Sequence, residues 1–200
     1  MKYTRGLQVK GTKAYIKIPR DRIGALLGPE GAVKNLIERK LSVSLQVDSQ
    51  NGAIEIILPP KVEDPTVLFR AKEVVTAIGR GFAPNHAFKL LNDEDIGLEV
   101  INLREIVGRS LSDLKRLKGR VIGKEGKSRR IIEELSGANI SIYGHTISII
   151  GHLNQAAIAR EAVRMLLNGS LHGTVYRFLH KKRRELKKER MQLWEPVDKS

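Results

Sequence analysis

The residues best suited to chemistry in this chain form two Gly-x-x-Gly turns, Gly28-Pro29-Glu30-Gly31 and Gly123-Lys124-Glu125-Gly126, ninety-five positions apart. A phosphodiester backbone approaches a main chain closely only where side chains leave it room. Paired glycines supply that clearance and the backbone angles of a tight turn. Each turn follows an apolar pair (Leu26-Leu27 or Val121-Ile122) and opens a helical run that contains Ile37-Glu38 or Ile132-Glu133. At the head of a helix, free N–H groups and the positive end of the dipole favour an anion. Alternating apolar residues come next, Leu45 and Val47 in the first copy, Ile140 and Ile142 in the second. The registers match without a gap over more than twenty residues, so the chain contains an internal repeat.

The two copies differ in charge. In the second, Lys124 adds a phosphate contact inside the turn, and Lys127, Arg129 and Arg130 surround it on the first turn of the helix. With Lys115, Arg116, Lys118 and Arg120, residues 114–130 carry eight basic groups against Glu125 alone. Residues 177–190 carry eight more against Glu185 and Glu189. These two segments supply nearly all of the net charge of +14. Basic charge concentrated around a turn motif suits a polyphosphate, through counterion release and steering. A charge run is ordinarily a solvated face; that reading is weaker for 114–130, where charge and motif coincide. Ile122, Ile140 and Ile142 are candidates for an apolar groove floor beneath bases, although some of them must serve the core. In the first copy Pro29 lacks a donor N–H and Glu30 repels phosphate. Residues 1–100 are also nearly balanced, fifteen Lys/Arg against twelve Asp/Glu. Gly28, Pro29, Glu30 and Gly31 therefore read as a structural or protein-binding turn, with weaker RNA contact as the lesser alternative.

The elements that must position these turns repeat as well. Tyr15 to Ile18 alternates and stops at Pro19, a strand. A short helix is predicted over 21–27 and another over 32–41, with Val33, Leu36, Ile37 and Leu41 on one face. Strands at 44–47 and 53–58 flank Asn51-Gly52, a hairpin signal. Asp64-Pro65 opens a helix to Ile78, with Asp as cap and Pro at the first helical position. Residues 82–95, with Phe82, Phe88, Leu90 and Leu91, form a connector too apolar to be flexible, so the halves are expected to pack together. The second half repeats the pattern: a strand at 97–102, a longer helix ending near Gly119, a helix over 127–135, strands at 138–143 and 146–150, and a helix over 154–167. About twenty positions separate its first strand from the motif, against about ten in the first half, which indicates an insertion. Val175 to Leu193 reads as a charged helix with few apolar anchors, extended on the surface. Strand, helix, helix, strand, strand, helix is the order of a type I KH fold, a clamp for about four unpaired nucleotides. The expected fold class is α+β: two packed type I KH domains (1–81 and 96–170), the connector, and a basic C-terminal helix or tail (171–200).

Other chemistries find less support. The chain has no cysteine, which excludes disulfides, thiolate metal sites and a thiol nucleophile. Aromatics at 4% argue against a sheet that stacks bases on exposed rings. Gly126-Lys127-Ser128 matches the end of a nucleotide-binding P-loop, but Val121 stands where that loop needs glycine, and a basic helical pattern precedes it. The five histidines show no metal-ligand spacing, and Glu133-Glu134 and Glu94-Asp95 read as solvated faces. The expectation is a non-enzymatic protein with no cofactor or metal. Met1 to Arg5 leads into no signal-peptide core and no run reaches transmembrane length, so a cytoplasmic protein without membrane contact is expected.

Val121 to Ser128, Ile149-Ile150-Gly151, Val175-Tyr176 and the extended pre-motif helix with Leu111-Ser112 go beyond a generic KH domain. Over nearly its whole length the chain resembles an archaeal member of the Partner-of-Nob-one family, the Dim/Krr-type small-subunit assembly proteins. The resemblance implies a non-catalytic factor that binds single-stranded RNA near the 3′ end of precursor small-subunit rRNA. It implies as partners the small ribosomal subunit and a PIN-domain endonuclease that matures that end. Carried over by motif, Gly123, Lys124, Glu125 and Gly126 would clamp the RNA backbone, while Pro29-Glu30 departs from an RNA-competent turn. The competing readings are a protein-interaction scaffold with generic RNA affinity and a KH subunit of an RNA-degrading complex.

Overall fold

A computed structural model describes residues 12–62 and 64–192. The expectations for Met1 to Arg5 and for the chain beyond Gln192 concern residues outside that range. The chain divides into two compact units, Met1–Glu94 and Asp95–Ser200.

In the first unit, β1 (Thr12–Lys17), β2 (Ser44–Asp48) and β3 (Ala53–Leu58) form an antiparallel sheet in the order β1-β3-β2. Helices α1 (Ile23–Leu27), α2 (Ala32–Leu41) and α3 (Thr66–Gly79) complete the βααββα order. The period-two pattern of the strands sends Leu45, Ile54 and Ile56 into the core, where they are fully buried along with Leu26, Ile37, Val74 and Ile78. The expected first helix is shorter than its sequence pattern, because Arg20–Arg22 form a separate 3₁₀ turn. Helix α3 starts one residue later than expected. The Asp64 carboxylate does accept the Thr66 N–H, at 2.8 Å, but Pro65 stands before the helix rather than in its first position. The predicted connector folds into α4 (Pro84–Ala87) and α5 (Lys89–Asn92), both packed on α3. Phe82, Ala87 and Leu90 are buried there, which is why this segment carries more apolar residues than a linker tolerates.

In the second unit, β4 (Ile96–Asn102), β5 (Asn139–Tyr143) and β6 (Thr146–His152) repeat the topology as β4-β6-β5. The insertion holds a short helix, α6 (Arg104–Val107), and lengthens the pre-motif helix α7 to Leu111–Ile122. Helix α7 runs through Gly119, not to it. One interior glycine costs a helix about 1 kcal/mol, and the buried Leu117 and Val121 on either side of it hold the helix together. Helices α8 (Lys127–Ser136) and α9 (Leu153–Leu167) follow the expected pattern. The last helix, α10 (His172–Gln192), corrects the sequence reading. It packs on α8 and α9 rather than extending on the surface. Val175 and Leu179 are fully buried in the core of this unit, with Tyr176, Phe178 and Leu186 packed partly against it. Burial of side chains of that size contributes about 1.5–3 kcal/mol each.

Candidate nucleic-acid interface

The second turn joins α7 to α8 and begins where α7 ends. Gly123 N–H donates to Gly119 O at 2.8 Å, and Gly126 N–H donates back to Gly123 O at 3.3 Å. Gly123 has φ 72° and ψ 178°, Glu125 φ 53° and ψ 28°, and Gly126 φ 76° and ψ 11°. All three lie at positive φ, where glycine is at ease and a residue with a Cβ is strained. In the first copy the angles are 70° and 179° for Gly28, 51° and 25° for Glu30, and 78° and 10° for Gly31. The two loops share one conformation and both carry glutamate at the third position, so Pro29 in place of Lys124 leaves the shape intact and removes only a cation and a backbone donor.

The glycines have different tasks. A Cβ on Gly123 would fall 2.6 Å from Ser128 Cβ and 2.8 Å from Ser128 N, so this glycine lets the loop fold tightly onto α8. A Cβ on Gly126 would meet nothing within 4 Å, so the surface above it is open to an approaching chain. Lys124, Glu125 and Lys127 are exposed around that opening. Arg130 Nη2 reaches back to Glu125 O at 3.0 Å and braces the turn from α8.

The other sequence candidates separate into surface and scaffold. Lys115 is exposed on α7, and Arg116 is paired with Asp113 at 2.8 Å. Hydrogen bonds from Arg116 and then Ser110 hold the Asp113 carboxyl below the usual carboxylate range. Ser110 caps α7 by accepting the Asp113 N–H at 3.3 Å. Lys118 Nζ donates to Gly144 O at 3.0 Å and ties α7 to the β5–β6 turn. Arg120 is not presented as a free phosphate ligand. Its Nε donates to Leu166 O at 2.9 Å and its Nη2 to Ser170 O at 2.7 Å, closing the end of α9. Of the three isoleucines proposed for the groove, Ile122 is exposed at 36% and Ile142 is half-buried, but Ile140 is only 3% exposed and belongs to the core.

In sequence Glu133 reads only as a solvated carboxylate. It accepts the Ile140 N–H at 2.8 Å and lies 3.6 Å from Arg129, so it binds α8 to the edge strand β5. The same device stands ninety-five residues earlier: Glu38 accepts the Leu45 N–H at 2.6 Å and lies 3.7 Å from Lys34. The signal available in the sequence was the glutamate at one position in both copies. His172, at the start of α10, was also missed; its Nε2 lies 2.9 Å from Arg120 O.

Among the described residues no group of His, Cys, Asp or Glu could hold a metal ion, and no helix is long and apolar enough to cross a membrane. The arrangement offers a glycine-cleared backbone at the head of a helix, with exposed cations around it, which is a seat for a phosphodiester.

Comparison with known proteins agrees with this geometry. Residues 97–184 match the family model for a eukaryotic type KH domain (KH-domain type I), specifically the second domain of Pno1 proteins. Residues 19–93 match the Krr1 KH1 domain. The KH domain-containing protein MJ0443 of Methanocaldococcus jannaschii is 48% identical over 90% of this chain and 78% of its own length. The pre-rRNA-processing protein PNO1 of Saccharomyces cerevisiae is 26% identical over 86% of this chain, which spans only 64% of that longer protein. A chain in the crystal structure of the a/eIF2alpha–aDim2p–rRNA complex from Pyrococcus horikoshii superposes with a TM-score of 0.81 at 42% identity, covering 89% of this chain and 97% of that one. The chain therefore belongs to the archaeal Dim2p/Pno1 family of RNA-binding proteins with two KH domains, homologous to pre-rRNA-processing factors.

Proposed function

We propose that this protein grips single-stranded RNA through its second KH domain, near the 3′ end of precursor small-subunit rRNA. It acts there as a non-catalytic assembly factor in the cytoplasm, on the small ribosomal subunit, beside a PIN-domain endonuclease. The observation that carries the RNA assignment is the pair of loops with one conformation but different cations, Lys124 standing where the first copy has Pro29. Only Gly123-Lys124-Glu125-Gly126 has a cation at its tip and Lys127 and Arg130 behind it. The strand is held by its backbone over the two glycines, with Ile122 and Ile142 beneath the bases. Gly28-Pro29-Glu30-Gly31 keeps the shape with Pro29, Ala32 and Asn35 in place of those three cations, and serves structure or protein contact.

The choice of rRNA is supported by the yeast relative, a pre-rRNA-processing protein, and by the presence of rRNA in the crystal structure of the Pyrococcus complex. The 3′ location and the endonuclease follow from the family resemblance of the motif. Crosslinking the protein to RNA in its own cells, with sequencing of the bound fragments, tests the assignment. Enrichment at the 3′ end of small-subunit rRNA is the expected result; reads scattered over transcripts would overturn it.

A further inference from the structure

The +6 segment of the last helix is not a uniform charged coat. At 100° per residue, the burial of Val175, Leu179 and Leu186 fixes the inner face of α10. Arg177, Lys181, Arg184 and Lys188 then fall together on the opposite side, within about 60° of arc, and all four are exposed. They form one straight ridge about 16 Å long. Acidic groups scarcely compensate it. Lys181 is 3.9 Å from Glu185, but that carboxylate is held more closely by Lys182, at 2.7 Å. Arg177 makes a 3.4 Å bond to the Thr174 hydroxyl, and Arg184 shares the same Glu185 carboxylate only through space, so one acid serves three cations.

The helix that carries the ridge is tied to the two helices that flank the turn. His172, at the head of α10, bonds to Arg120 O three residues before Gly123. Further along, Arg183 lies 3.8 Å from Glu134 near the end of α8. Helix α10 therefore runs alongside α8 in the same direction, starting at the turn. No apolar side chain lies within the arc of the ridge, and the exposed His180 imidazole stands at its margin. A protein interface needs an apolar core, so this surface suits a row of phosphates.

We infer that the Arg177–Lys181–Arg184–Lys188 ridge is a second RNA-backbone site that tracks phosphates beyond the nucleotides held at the Gly-x-x-Gly turn. It would lengthen the footprint of the second KH domain without reading sequence. This rests on the RNA assignment above and deepens it.

Salt dependence tests the inference. The probes are oligonucleotides of the small-subunit rRNA 3′ end, about four and about twelve nucleotides long, bound by the full chain and by a variant with all four ridge residues changed to Gln. Each phosphate contact to a single strand contributes about 0.7 to the slope of log affinity against log salt. The ridge variant is expected to lose about 2 to 3 from that slope on the long probe and almost nothing on the short one. An unchanged slope on the long probe, or an equal loss on both, would overturn the ridge. Failure of the turn itself is read separately. Lys124→Asp with Glu125→Asp should abolish binding of the short probe and leave the ridge's share of the slope on the long one.

Discussion

The Cβ that Gly123 lacks would stand 2.6 Å from the Cβ of Ser128, whereas the Cβ that Gly126 lacks would stand in open space. The first glycine thus belongs to the fold and the second to the ligand-facing surface. Gly123→Ala is expected to destabilise the protein by about 2–4 kcal/mol, from collision and positive φ together. Gly126→Ala carries only the conformational cost, about 1–2 kcal/mol. Urea unfolding of the two variants checks the order; equal losses would contradict the assignment of separate tasks.

Arg120 and Lys115 make a second contrast, since both lie in the basic segment and only one is committed to the fold. Arg120→Ala removes two charge-assisted bonds to Leu166 O and Ser170 O. It should cost about 1.5–3 kcal/mol per bond lost, in thermal or urea unfolding. Lys115→Ala, at an exposed site, should leave stability within about 0.5 kcal/mol and weaken RNA binding modestly. A stable Arg120→Ala protein with impaired RNA binding would return that guanidinium to the interface.

The paired glutamates predict a mirrored result in the two domains. Glu133→Ala strands the Ile140 N–H and Glu38→Ala strands the Leu45 N–H. Each should lose about 1–3 kcal/mol. Glu133→Gln keeps an acceptor and gives up only a part-exposed ion pair, worth at most about 1 kcal/mol. Equal destabilisation by Ala and Gln would show that charge, not the strand N–H, is what Glu133 serves.

These assignments mark what the sequence made legible. The ninety-five-residue register placed Gly28 over Gly123 and Ile37 over Ile132, because turn chemistry and helical period are local properties. It did not tell which cations of 114–130 face solvent. Arg120 and Lys115 look alike until α9 presents Leu166 O to one of them. Ile140 alternates like a groove residue, but burial depends on which face the helices cover. In sequence helix α10 looks poorly anchored because Val175 and Leu179 are few; their value comes from complete burial by α8 and α9, which local pattern does not register.

The start of α7 should respond to acid. The Asp113 carboxyl is held below its ordinary value by Arg116 and Ser110. Its contribution to stability is therefore fully present above the unfolded value of about 3.9. It is lost as the pH falls below that, through the depressed folded value. Hydrogen exchange in α7 should be flat with respect to this group near neutrality, after correction for intrinsic rates, and protection near Ser110 should fall in acid. In Asp113→Asn that acid-dependent loss should disappear; its persistence would assign it to another group.

The most direct test changes only the tip of the second turn. Lys124 and Glu125 are both exposed, and aspartate tolerates the left-handed angles of residue 125 better than most side chains. Lys124→Asp with Glu125→Asp keeps both glycines and, because residue 125 already carries a carboxylate, takes the tip from neutral to a charge of −2 where the phosphodiester should lie. Affinity for a single-stranded oligonucleotide of the small-subunit rRNA 3′ end should fall at least about tenfold, a loss of about 1.4 kcal/mol, with the melting temperature unchanged. A folded double variant that binds as tightly as the native protein would contradict the claim that this turn holds RNA.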